Sequence, residues 1–454
     1  MPFVPVVSFW STSTSIQMSD LLAALRGDRT RFSQVIVPAE DAAAIGTAIG
    51  GQLDADTGSV ADINAAVKNG ALGLLRATDV TPAVRALGIG GVNLFGNARV
   101  AATTDWPLLL PVDSGQPWQQ QKSWTIVAAG DIMLDRGVAE QTTILGKGGD
   151  YLFDGGTAQI TRIRCCSYFG YDYPVIQKTG NGGAVRQLLS GADIAMANLE
   201  TAVLVNAPYH TGGLTFTSDA SLLPSLARAG LDWMSNANNH SRNAGARGIL
   251  TAISELEKNG IAHSGAGADP VAAGAPAYLE ANGVRVAIIA CDAIAPSYQA
   301  APGKVGTNNC KRSDIAGEVR QAKAHADLVI VFPHWGIEYR PRPVTYQRQL
   351  AAEWVAAGAD MIIGSHSHFA GAMESIDGHL VFYSLGNFVF DQDFRTGTMM
   401  GVVPEMTFNG TTLVQVWLHP TLITDCQPNL ADTAVDQHIV LDQMRSASEG
   451  LLGY

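Results

Sequence analysis

Met361-Ile362-Ile363-Gly364-Ser365-His366-Ser367-His368 is a short apolar run ending in Gly-x-His-x-His. The pattern predicts a buried strand that delivers two histidines at its carboxyl end. In extended backbone, residues i and i+2 point to the same side, so His366 and His368 are expected to share a face. An earlier apolar run, residues 328–332, leads to Pro333-His334-Trp335-Gly336. Three more runs follow the same format. Residues 124–129 precede Gly130-Asp131, 193–197 precede Asn198-Leu199-Glu200, and 231–236 precede Asn238-Asn239-His240. In open α/β sheets the ligand site lies beyond the carboxyl ends of the strands, so segments distant in sequence converge on one rim. Taken singly, Asp131 reads as a helix cap, Glu200 as a loop carboxylate and Asn239 as a turn residue. Their common placement argues for one site, and imidazole, carboxylate and carboxamide are ligand types for divalent metals.

The remaining composition bounds what surrounds that rim. A chain of 454 residues exceeds one ordinary core, and two domains with a tail are expected. With 47% hydrophobic and 15% charged residues, the chain reads as well buried and globular. No apolar run is long enough for a membrane-spanning helix. The start, Met1-Pro2-Phe3-Val4-Pro5, has neither a basic region nor a long apolar one. A formal net charge of −12 argues against a nucleic-acid partner and makes any polyanionic substrate depend on a local basic patch. The five cysteines form no disulfide framework and have no metal-motif spacing. Cys291 and Cys310 either pair across a loop or stay as buried thiols, and bridging the neighbours Cys165 and Cys166 is unfavourable.

Residues 1–110 read as a separate accessory α/β domain, with helices near 19–25, 42–49 and 60–69 and a strand at 34–37. This part weakly resembles one lobe of a type-2 solute-binding domain. Residues 111–123, which include Pro111-Val112-Asp113-Ser114-Gly115, are polar and aperiodic and read as a linker. From residue 124 strands and helices alternate, which indicates helices layered on sheet. Residues 426–454 read as a tail with one packing helix.

Six segments occur together in order: Gly130-Asp131-Ile132-Met133-Leu134, Asn198-Leu199-Glu200, Asn238-Asn239-His240, His334-Trp335-Gly336, Gly364-Ser365-His366-Ser367-His368 and Tyr383-Ser384-Leu385-Gly386-Asn387-Phe388. Over roughly residues 124–425 they resemble the CapA/PgsA family of bacterial poly-γ-glutamate capsule synthesis proteins. The resemblance implies an α/β fold, a layered metallophosphatase-like β-sandwich flanked by helices, beside the smaller N-terminal α/β domain. It implies an extracytoplasmic protein whose signal or anchor has been removed, with a cytoplasmic protein as the alternative. It also implies one or two divalent ions, with Mn, Mg, Ca, Zn and Fe not distinguished. Mapped by motif, Asp131 holds the first metal, Glu200 bridges, Asn239 and His334 hold the second, and His366 and His368 divide between them. His240 matches the histidine that stabilises the transition state or protonates the leaving group in related phosphatases. The first motif departs from the phosphatase pattern, because Met133 stands where a histidine is usual. Asp135, one helical turn after Asp131, is either a substitute ligand or a helix N-terminal carboxylate.

Arg340, Arg342 and Arg348 follow His334 closely in an otherwise acidic protein and are expected to clamp an anionic substrate, or else to cap a helix and pair with surface acids. Glu338 is expected to orient His334, and Asn387 to sit at the rim of the site. The expected function is metal-assisted hydrolysis or transfer on an anionic peptide polymer or phosphoester in capsule synthesis. The alternatives are epimerisation of a peptide by Cα proton abstraction, or a scaffold for a membrane-bound synthase complex.

Overall fold

The computed structural model describes residues 1–112 and 115–454, so Asp113 and Ser114 of the expected linker lie outside the described residues. The chain divides into two compact units: Met1–Thr125 with Glu405–Trp417 and Gly453–Tyr454, and Ile126–Pro404 with Leu418–Leu452.

In the first unit a five-stranded sheet runs in the order Asp56–Gly58, Val35–Pro38, Leu72–Arg76, Phe3–Ser8, Val84–Ala86. Phe3–Ser8 is antiparallel to both neighbours, whereas Val35–Pro38 is parallel to both of its own. Helices Met18–Leu25, Ala42–Ala48 and Val60–Lys68 supply Leu21, Ile45, Ile63 and Val67 to its core. The last helix begins with a Ser59/Asp62 capping box, which satisfies two otherwise orphaned N–H groups.

The second unit is a sandwich of two sheets with helices on its outer faces. The larger sheet contains the parallel strands Ser123–Ile132, Ile194–Leu199, Trp233–Ser235 and Ala262–Ser264 in that order. Beyond Ser123–Ile132 it continues through Met400–Asn409, Thr412–Thr424 and Gln427–Ala431 to the hairpin Thr157–Arg164/Tyr173–Gly180. The strand at Gln427–Ala431 therefore lies inside the sheet, and the helix Ala434–Ala447 follows it. The smaller sheet is ordered Ala277–Ala281, Val284–Asp292, Leu328–His334, Met361–Ile363, His379–Phe382, Met373–Ile376.

Alternation along each central strand explains the layers. Val127, Ala129, Ala195 and Ala197 face the outer core with residues of helices Ala184–Ser190, Pro224–Arg228 and Gly245–Lys258. Val329 and Val331 do the same beneath helices Ile315–Lys323 and Thr345–Ala357. The alternate residues meet between the sheets, where Trp233 packs on Phe332 with ring centroids 5.2 Å apart. Strands buried on both faces read as unbroken apolar runs, which is why they were visible in the sequence.

Cys291 and Cys310 are bonded, with Cα atoms 5.0 Å apart, and Cys165 and Cys166 are bonded as well. Replacing Cys291 and Cys310 together by alanine is expected to cost about 3 kcal/mol of stability through the loop the bond closes. Urea unfolding of the double variant against the parent measures it.

Glu318 offers a pH test. Burial pushes its carboxyl up to about 7, even though Asn308 Nδ2 donates to it at 2.8 Å. The folded chain thus keeps a proton that the unfolded chain loses at the ordinary glutamate value. Its contribution to stability is complete below that value and disappears as pH rises through about 7. Glu318→Gln is therefore expected to raise the melting temperature at about pH 8 and leave it nearly unchanged at about pH 4.

Candidate functional site

Glu200 is the centre of the site. It follows the strand Ile194–Leu199, is fully buried, and neither carboxylate oxygen has a hydrogen-bond partner among the described residues. Three imidazole nitrogens surround Oε1 instead: His334 Nε2 at 3.7 Å, His368 Nε2 at 3.9 Å and His240 Nε2 at 3.9 Å. Burial first, and then the neighbouring Asp131 carboxylate, hold Glu200 well above the ordinary carboxyl range. Burial also pushes Asp131 up to about 6. An unpaired buried carboxylate is costly, so this pair of acids needs positive charge nearby to ionise.

The ligand-type atoms fall into two groups that share Glu200. Glu200, His334 and His366 form one, Asp131, Glu200 and His368 the other, and within each group all atoms lie within 4.8 Å of one another. Asn239 joins the first group, its Oδ1 2.8 Å from His334 Nε2, and His366 Nδ1 lies 3.1 Å from the same nitrogen. Burial drives His366 down to about 3, His368 down to about 4, and His334 well below its ordinary value. All three imidazoles are therefore neutral, the state in which a ring nitrogen offers its lone pair.

Local backbone brings these atoms together in ways that alternation alone does not. Strand Ser123–Ile132 carries a bulge: Ala128 pairs with Met196, but Asp131, not residue 130, pairs with Asn198. The extra residue turns Asp131 onto the face it would otherwise leave, and Asn198 Nδ2 donates to its Oδ1 at 2.8 Å. Only glycine fits at 130, since an added Cβ would lie 2.0 Å from Gly386 O.

His366 and His368 do not share an extended strand, contrary to the expectation from their spacing. The strand ends at Ile363, and both histidines have left-handed backbone, with φ of 95° and 58°. Side chains there are unfavourable for a non-glycine residue and persist where the surroundings impose them. Gly364 supplies the tight exit, because a Cβ there would lie 2.4 Å from both Trp335 Nε1 and Tyr383 O.

Hydrogen bonds fix the ring directions. His368 Nδ1 lies 2.8 Å from Asn387 Oδ1, which turns Nε2 toward Glu200. His334 Nδ1 lies 2.9 Å from Ser365 Oγ and 3.3 Å from Asn198 Nδ2. Glu338, expected to orient His334, is exposed instead, because the chain turns away through Gly336 at φ 99° and Tyr339 at φ 62°. His240 stacks on Phe216 with centroids 3.9 Å apart. Its Nδ1 lies 2.9 Å from Asn243 Oδ1 and its Nε2 3.1 Å from Asn239 Nδ2. These partners place the proton on Nδ1 and leave Nε2 as an acceptor, and burial pushes the ring down to about 4.

Asp135 is not among the clustered atoms. It caps the helix Arg136–Ala139, with Oδ1 accepting from Arg136 N and Oδ2 from Thr217 N, both at 2.7 Å. Met133 Sδ accepts from Asp135 N at 3.0 Å.

The arginine loop is not gathered at the site either. Arg348 is bound by both oxygens of Glu374, Arg342 donates to Glu449 O at 3.0 Å, and Arg340 is exposed. None of the three lines the adjoining cleft among the described residues. The cation there is Arg136, which the sequence reading missed. Its guanidinium pairs with Asp391 and lies 4.6 Å over the Phe216 ring. A lone arginine after a helix cap gives no signal of its own.

Residues 125–392 match the model of a family described as bacterial capsule synthesis protein PGA_cap. The capsule biosynthesis protein CapA of Bacillus anthracis is 29% identical over 74% of this chain and 76% of that protein. The PGA biosynthesis protein CapA of Bacillus subtilis is 36% identical over 40% of this chain, and the match spans 49% of that protein. The NAD nucleotidase structure from Haemophilus influenzae is similar at 14% identity and a TM-score of 0.37, over 71% of this chain and 62% of that one. Since the family match takes in more than half the chain and all the clustered residues, the protein belongs to the PGA_cap family of bacterial capsule synthesis proteins.

Proposed function

We propose that Asp131, Glu200, Asn239, His334, His366 and His368 hold one or two divalent metal ions, and that this centre carries out hydrolysis or transfer on a capsule-related phosphoester or anionic peptide polymer. The observation that carries the reading is Glu200: a fully buried carboxylate without a donor, with the imidazole nitrogens of the candidate ligands His334 and His368 3.7 and 3.9 Å from one oxygen. Those gaps are too long for hydrogen bonds and suit a cation set among the atoms. A bound divalent ion would polarise the scissile bond and make a coordinated water acidic enough to attack near neutral pH.

The chain's own groups supply the rest. Asn387 Oδ1 accepts from His368 and so places its proton on Nδ1, and Ser365 Oγ fixes the direction of the His334 ring. His240 presents an unprotonated Nε2 beside Glu200, so it can take a proton from an attacking hydroxyl and return it to a leaving oxygen or nitrogen. Arg136 adds positive potential at the edge of the centre, and Phe216 keeps water from the face of His240 that it covers. We take residues 1–110 as an accessory domain and the chain as acting outside the cytoplasm. The names of the relatives support a capsule setting. Among the described residues no helix is long and apolar enough to cross a membrane.

The test is metal analysis of the purified protein alongside turnover of bis(p-nitrophenyl) phosphate, before and after chelation. Bound metal with chelator-sensitive turnover is expected. Protein that binds no divalent ion when supplied with one would overturn the proposal.

A further inference from the structure

Beside the centre lies a cleft of about 700 Å³ with aromatic walls. The hairpin Thr157–Arg164/Tyr173–Gly180 carries Tyr168, Phe169 and Tyr171 near its tip, with 97%, 62% and 43% of their surface exposed. Phe169 meets Phe394 at 5.0 Å, Phe394 meets Tyr339 at 6.0 Å, and Tyr339 lies 6.1 Å from His368. A file of rings thus leads from solvent to a candidate metal ligand.

These rings are held in place. Arg395 lies over Tyr171, Tyr339 and Phe369 at 4.3, 5.4 and 4.9 Å. Thr396 N donates to Asp172 O at 3.1 Å and ties the hairpin tip to the segment carrying Phe394. Tyr339 keeps its place through a left-handed backbone, and its N–H donates to Ser367 O at 2.8 Å. Large rings left exposed in a preorganised concave surface mark a binding site.

Charge narrows the occupant. Among the described residues the lining holds Arg136, already paired with Asp391, and a second carboxylate, Asp393, while Arg395 stands against the rings of Tyr171 and Tyr339. The adjoining pocket shares Asp391 and Asp393 and adds Glu140 and Asp425. Burial and those four carboxylates together push the Cys426 thiol up. Four carboxylates against the two arginines, Arg136 and Arg395, make this path favour a neutral occupant over a polyglutamate chain or a nucleotide phosphate. A pyranose ring suits it: its C–H face lies on aromatic carbon, and its rim hydroxyls donate to carboxylate and amide oxygens such as those of Asp393 and Gln392.

We propose that the cleft binds an uncharged glycan chain and leads it to the centre, so that one substrate of the proposed reaction is sugar-bearing. The idea rests on the metal-centre reading for its purpose but not for binding, which needs no metal. The experiment is calorimetric titration of the full chain with cellohexaose, maltohexaose and chitohexaose, with a γ-glutamyl decamer and AMP as charged comparators. Each is run with metal and after chelation. At least one neutral oligosaccharide is expected to bind in both states. Phe169→Ala, at an exposed ring whose loss leaves the core intact, should weaken it about tenfold, the effect of losing one stacked ring. Asp393→Asn should weaken the sugar and strengthen any residual binding of the decamer. Failure of all three sugars, binding of a sugar that ignores Phe169→Ala, or decamer or AMP binding that depends on Phe169 would each overturn the glycan assignment. Sugar binding in protein that takes up no metal would leave this inference standing and remove the metal centre instead.

Discussion

Glu200→Gln is expected to weaken divalent-metal binding by more than about 100-fold, beyond the usual cost of losing an outer partner of a ligand. Glutamine keeps the volume and one oxygen but removes the charge shared by both clusters of ligand atoms. The same substitution should leave metal-free protein at least as stable as the parent, because it deletes a buried carboxylate that has no donor. Metal content after dialysis and thermal unfolding of the chelated protein measure the two effects. Unchanged metal content would take Glu200 out of the centre. A large loss of stability without metal would mean that its role is to hold the fold.

His240→Ala should lower turnover of bis(p-nitrophenyl) phosphate by about 10²–10⁴-fold, the range for a positioned acid–base group. Metal content should stay at the parental level, since His240 is absent from both clusters of ligand atoms. It approaches Glu200 only to 3.9 Å, and its ring is held by Phe216, Asn243, Asn239 and the backbone of Leu214. Metal lost along with turnover would make it a ligand. Turnover left intact would favour a scaffold, in which a proton-transfer histidine has no work.

The sequence by itself determined the alternation of strands and helices in the larger unit and the ligand types at the strand ends. Both follow from local physics. A parallel strand buried on two faces must be apolar along its whole length, and polar residues therefore stand out where it stops. Residues such as Asp131, Glu200 and His334 were conspicuous for that reason.

Where their side chains point was decided only by the tertiary structure. Asp131 reaches the common face through a bulge that depends on pairing with Ile194–Leu199 and on Gly386 O pressing against Gly130. His366 and His368 converge through left-handed backbone, beyond a strand closed off by Trp335 and Tyr383, and not by extended alternation. Glu338 and the arginines after it are close to His334 in sequence, yet Glu338 and Arg340 end exposed and Arg348 is taken up by Glu374, while Tyr339 between them turns toward His368. Arg136 and the aromatic cleft come from segments whose motifs say nothing of one another, and register and packing alone make them neighbours. Periodicity records which residues are buried; the direction of a side chain is set by strand register and single φ values that distant residues impose.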